Sequence, residues 1–118
     1  MKGSPCSNLF LQETLTVADI TNKSTMQDMP LSYELIQTFL DFLLRKGISD
    51  TSLSEYSSLL YHFYLFLPSE KRVKLDTLEL WKKELVLSGY KADDIVKHLS
   101  AVNSLLYFYN RTDLRILL

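Results

Sequence analysis

The stretch Ala92–Tyr109, ADDIVKHLSAVNSLLYFY, restricts what this chain can fold into more than any other. Its apolar positions Ile95, Leu99, Val102, Leu106 and Tyr109 step by four, three, four and three, the period of a helix with one buried face. A turn of about 100° per residue gathers Asp93, Lys97, Ser100, Ala101 and Ser104 on the opposite side. That outer face carries one long cation among mostly small side chains, so it can approach another surface closely. Duplex DNA is one such surface; plain solvent is the other reading. The stripe needs further apolar helices to bury it.

Three more are written upstream. After Pro30, Ser32 can accept from the free amides of a helix over Ser32–Lys46, with Glu34 suited to its first turn. Leu35, Ile36, Phe39, Leu40, Leu43 and Leu44 give it a wide apolar stripe, and Gly47 closes it in the left-handed conformation. A second helix is expected over Ser52–Leu67, opened by the capping-box pattern Ser52-x-x-Glu55 and stopped by Pro68. Its inner face is Leu53, Tyr56, Leu60, Phe63 and Leu67, with Leu59 and Phe66 at the margin and Ser54, Ser57, Ser58 and Tyr61 outside. A third begins at Asp76 or Thr77, buries Leu78, Trp81 and Leu85, wets Lys82, Lys83 and Glu84, and ends at Ser88-Gly89-Tyr90. Between the second and third lies the most basic short stretch, SEKRVKL, from Ser69 to Leu75.

Three glycines, three prolines and no regular alternation of apolar and polar residues fit an all-α protein. With 118 residues, 47% of them hydrophobic, one domain with an ample core is expected. Residues Met1–Pro30 show no sustained period and read as a flexible arm or linker, leaving 31–118 as the helical domain. A net charge of −1 does not announce a nucleic-acid binder, which is more often basic. Cys6 is the single cysteine, so a disulfide within the chain and a thiolate metal site are both excluded. No apolar run is long enough to span a bilayer, and a cytoplasmic location is the simplest expectation.

The run Asp94-Ile95-x-Lys97-His98-Leu99-Ser100-Ala101-Val102-Asn103-Ser104-Leu105-Leu106-Tyr107-Phe108-Tyr109 resembles the last large helix of the N-terminal, core-binding domain of tyrosine recombinases and phage integrases. Gly47-Ile48-Ser49, a following hydroxyl, then Leu53, Tyr56, Leu60, Phe63 and Phe66-Leu67 are similar to an earlier helix of the same domain, in the same order. The resemblance covers roughly Ser32 to Asp113. It implies a four-helix, SAM-like, all-α fold whose second and fourth helices face the major groove of duplex DNA.

By the same resemblance the DNA-facing residues are Ser52, Ser54 and Ser57 on the second helix, Lys71, Arg72 and Lys74 in the basic loop, and Lys91, Lys97, His98, Ser100, Asn103 and Ser104 on or beside the fourth. Lys97 is best placed to reach a base edge or phosphate, since lysine donates to guanine O6 and N7. The serines would position the backbone, and Lys91 and the loop would add attraction. Asn103 is a candidate by family position more than by its place on the wheel. One departure matters: relatives often carry Arg or Lys beside the tyrosine equivalent to Tyr56, where this chain has Ser57 and Ser58. Hydroxyls can donate to phosphates but release no counterions, so weaker binding is expected.

The chemistry of the family's catalytic domain needs a tyrosine nucleophile among arginines, a lysine and histidines. Here Arg45, Arg72, Arg111 and Arg115 are dispersed and no His-x-x-Arg occurs, so no active site, cofactor or metal is expected. The expected partners are duplex DNA and other recombinase subunits, with no small-molecule substrate and no membrane. The rival reading is a helical protein-interaction module that has lost DNA binding. Asp93, Asp94 and Glu55 near the proposed DNA faces favour it, as do Tyr61, Leu65, Tyr107 and Phe108 if they lie on the surface.

Overall fold

A computed structural model describes residues 28–118. Four helices make up most of it: α1 (Tyr33–Arg45), α2 (Asp50–Phe66), α3 (Thr77–Leu87) and α4 (Ala92–Phe108). Two short strands, β1 (Met29–Pro30) and β2 (Arg72–Val73), and a 3₁₀ turn at Thr112–Leu114 complete the order.

Local signals set the helix ends. Ser32 is extended, and its Oγ accepts from the Leu35 N–H at 3.2 Å, which starts α1 where the sequence indicates. Gly47 closes α1 and Gly89 closes α3, at φ 89° and 87°, a region that glycine enters without the Cβ clash other residues meet. The start of α2 differs from expectation. Ser49, not Ser52, is the cap: its Oγ accepts from the Ser52 N–H at 3.2 Å, and the Ser52 hydroxyl faces it at 3.1 Å. Starting earlier places Asp50 in the first turn, where a carboxylate meets the positive end of the helix. At α3, the Thr77 hydroxyl accepts from the Lys74 N–H at 2.7 Å, so this buried threonine fixes the loop in front of its helix.

α4 is the central element, packed against α1, α2 and α3. Three neighbours need a wider buried stripe than a helix lying on one surface, and His98, Ala101 and Leu105 join Ile95, Leu99, Val102 and Leu106 inside. The expected outer face therefore loses Ala101 and narrows to Asp93, Lys97, Ser100 and Ser104. Opposite α4 the core takes Ile36, Phe39 and Leu40 from α1, Leu60 and Phe63 from α2, and Leu78, Trp81 and Leu85 from α3.

The two strands were not foreseen. β1 and β2 pair antiparallel, Met29 with Val73 and Pro30 with Arg72, and the Leu31 N–H donates to the Lys71 carbonyl at 2.9 Å. Met29 and Leu31 are buried, so the folded domain begins before Pro30, earlier than the boundary expected for the arm. The remainder of that arm lies outside the described residues. At the other end Leu114 and Ile116 return to the core. No helix among the described residues is long and apolar enough to cross a membrane.

Candidate nucleic-acid interface

Where α2 and α4 run side by side, Glu55, Tyr56 and Leu59 from one helix and Lys97, Ser100 and Ala101 from the other line a shallow notch of about 180 Å³. Lys97 Nζ stands 3.5 Å from Glu55 Oε2, and both side chains are more than half exposed, at 59% and 53%. An ion pair in that setting is weak and leaves both heads available to a third group. Ser100 and Ser104 follow one turn apart along α4, both half-buried, Ser100 lining the notch. On α2, Ser54 is exposed and Ser57 half-buried, while Ser52 is engaged with the Ser49 cap. Lys91 is exposed just before α4 and has no ion-pair partner among the described residues. The Lys97–Glu55 partnership joins residues of different helices; the sequence pattern assigns Glu55 a capping-box role and a place near the proposed DNA face, but not this partner.

Several expected DNA contacts have other employment. His98 is only 7% exposed; its Nδ1 lies 2.7 Å from the Asp94 carbonyl and its Nε2 3.2 Å from His62 Nδ1. With both ring nitrogens engaged inside the bundle, it leaves the set of surface candidates. The Asn103 amide donates to the Ile116 carbonyl at 2.8 Å and accepts from the Ile116 N–H at 3.0 Å. It therefore clamps the C-terminal segment, and its polar atoms point there.

The basic loop is likewise corrected. Lys71 adopts φ 50° and donates to the Tyr64 and Leu67 carbonyls at 2.9 and 3.0 Å, over the Tyr64 ring. It caps the carbonyl end of α2, which a cation suits. Arg72 lies in β2 and meets Asp28 at 3.4 Å. Lys74 keeps the most freedom, in an exposed pair with Glu70 at 3.5 Å. The loop's charge is thus largely tied to the fold.

A larger hollow of about 550 Å³ lies at the end of the same face, walled by Phe39, Phe42, Tyr56, Tyr107 and Phe108, with Ser104 and Arg115 among its polar lining. Phe108, expected outside, packs its ring 5.2 Å from Phe39 and 4.8 Å from Phe42. Leu65 and Tyr107 do stand out, 70% and 75% exposed. Among the described residues no three metal-ligating side chains gather.

His62 and His98 meet at the seam between α2 and α4. A carbonyl can only accept, so neutral His98 donates from Nδ1 to Asp94 and offers Nε2 to the His62 Nδ1–H. Trp81 and Tyr90 enclose the pair, their rings 4.9 and 6.0 Å from that of His62. Burial pushes the His62 pKa below its ordinary 6.5, and His98 adds to this while Glu84 opposes it. The unfolded chain then holds more protons than the folded one just below pH 6.5, so the contribution is complete above that value and is lost as pH falls toward the depressed pKa. Thermal unfolding followed across pH 7.5 to 5.5 should show a falling midpoint on the acid side, and His62→Gln should flatten that slope.

Comparison with known proteins gives the chain its family. A family model described as phage integrase, N-terminal SAM-like domain, matches residues 36–112, which runs from within α1 to the turn after α4. No curated protein and no solved structure matches the chain. The family match covers well over half of the sequence and all of α2, α3 and α4, the helices that frame the notch and the core behind it. The chain belongs to the phage integrase N-terminal SAM-like family and is a tyrosine-recombinase-related domain.

Proposed function

We propose that this domain grips duplex DNA for site-specific recombination, supplying attachment and placement while strand cleavage and joining are carried out by a separate catalytic domain. The observation that carries this reading is the notch at which Lys97 and Ser100 of α4 meet Glu55 of α2 at the surface, in a chain of the phage integrase SAM-like family. Small side chains let the α4 backbone come close to a groove, hydroxyls can donate to phosphate oxygens, and Lys97 can reach a base edge. Lys91 and Lys74 add attraction from the flanks. The arginines do not compose a phosphoryl-transfer centre: Arg72 meets Asp28, and Arg111 grips Asp113 at 2.9 Å.

Fluorescence anisotropy with labelled duplex DNA, at several salt concentrations, tests the proposal. With few free cations the affinity should fall with salt on a shallow slope, about 0.9 per phosphate neutralised. Lys97→Glu should weaken binding roughly tenfold or more, since a good base contact contributes about 1–3 kcal/mol. Absence of binding at roughly tens of micromolar in low salt, where even non-specific binders attach, would overturn it. A protein-docking module would then lead, a reading favoured by the exposure of Leu65, Leu87 and Tyr107.

A further inference from the structure

Lys97 and Glu55 bring a donor and an acceptor to one point from two different helices, 3.5 Å apart and half in solvent. Neither is required by the core, and both border the notch between α2 and α4. In the major groove a G·C pair shows guanine N7 and O6 as acceptors and the cytosine N4 amino group as a donor. O6 and N4 are hydrogen-bonded to each other, so they too lie about 3 Å apart. The protein couple and the base-pair edge are therefore complementary in charge and similar in spacing. An A·T pair fits worse. Its adenine N6 donor has the N7 lone pair beside it, which repels a carboxylate, and its thymine O4 has the C5-methyl beside it, which excludes an ammonium.

We propose that Glu55 is a specificity-determining residue: the Lys97–Glu55 couple reads one G·C pair, Lys97 donating to guanine O6 or N7 and Glu55 accepting from cytosine N4. This rests on the DNA-gripping reading above and names which base pair that face prefers. The same carboxylate restrains Lys97 elsewhere. Over a phosphate it offers repulsion with no donor to meet it, and over an A·T pair the adenine N7 lone pair opposes it, so it lowers affinity for unrelated sequences. A slightly acidic domain gains discrimination in this way at the expense of general stickiness.

The test uses the full chain and its Glu55→Gln variant, which alters an exposed side chain and should leave the unfolding midpoint unchanged. Each protein is taken through rounds of selection on a randomised duplex pool, and the selected duplex is then assayed by anisotropy with every base pair exchanged in turn. The unmodified protein should select G·C at one position, where exchange to A·T weakens binding about fivefold or more. In Glu55→Gln that preference should vanish or move toward adenine, which glutamine pairs with. Affinity for unselected duplex should rise, and the salt slope should steepen by about 0.9 as Lys97 is freed for a phosphate. Salt-dependent binding whose base preferences are absent, or are the same in both proteins, would overturn the role of Glu55 while leaving DNA gripping intact. No duplex binding by either protein would overturn the DNA-gripping reading itself, and this inference with it.

Discussion

Trp81→Ala is expected to remove about 3–5 kcal/mol of stability, a large part of the roughly 5–15 kcal/mol that holds a domain of this size together. Trp81 is 1% exposed and stands where three elements meet. Its ring lies 5.9 Å from Phe63 and 4.8 Å from Phe66 on α2, and 6.0 Å from His98 on α4. Truncation opens a cavity that backbones held on several sides cannot close. Trp81→Phe separates volume from polarity. The indole Nε1–H is buried with no acceptor among the described residues, and such a donor costs about 1–3 kcal/mol. Phenylalanine loses part of the packing but removes that cost, so its effect should be much smaller. Urea unfolding monitored by circular dichroism measures both: the midpoint of Trp81→Ala should fall sharply with the slope unchanged. A loss in Trp81→Phe as large as its missing packing alone predicts would mean that the unmet N–H carries no penalty.

Asn103→Leu is expected to cost about 2 kcal/mol or more and to release the last residues of the chain. The asparagine makes both backbone hydrogen bonds of Ile116, as a neighbouring strand would, and each contributes about 1 kcal/mol. Leucine leaves a peptide N–H and carbonyl unpaired beside buried Leu114 and Ile116, so the segment gains by moving into water. Hydrogen exchange at the Ile116 amide should accelerate far more than at Leu105 or Leu106 inside α4. The affinity of folded Asn103→Leu for duplex DNA should match that of the unmodified protein. A selective loss of DNA binding with normal exchange at Ile116 would return Asn103 to the interface.

These two residues show where sequence reading succeeds and where it stops. Trp81 sits at helical spacing with Leu78 and Leu85, a relation internal to one helix, and its burial was foreseen on that basis. Ser32, Gly47, Pro68 and Gly89 act on backbone within a few positions, and the helices end at or next to them. Ser49 and Ser52 show the resolution of such signals: two hydroxyls three positions apart compete for one cap, and the acidic Asp50 in the first turn favours the earlier. Asn103, His98 and Lys71 were read as surface groups because their partners are Ile116, His62 and the carbonyl end of α2. Those partners are chosen by how helices and tail come together, a relation no period encodes. The same holds for Lys97 and Glu55, whose meeting depends on the packing of α4 against α2. The β1–β2 ladder is two residues per strand, too short to show alternation.

That ladder also bears on the order in which the molecule assembles. Asp28 meets Arg72 across 44 positions, and its carbonyl accepts from Arg111 across 83. Each closure restricts a long loop, a cost in chain entropy that two residue pairs do little to offset until the helices have already shortened the distance. The helices, made mostly of local contacts, are expected to form first and the strand to dock on them. By the same balance the strand is the first piece to lift off in the native state, through a local opening that leaves α1 to α4 in place. The Leu31 amide, whose hydrogen bond to Lys71 extends the ladder, would then exchange with solvent on its own schedule, well ahead of the amides of the bundle.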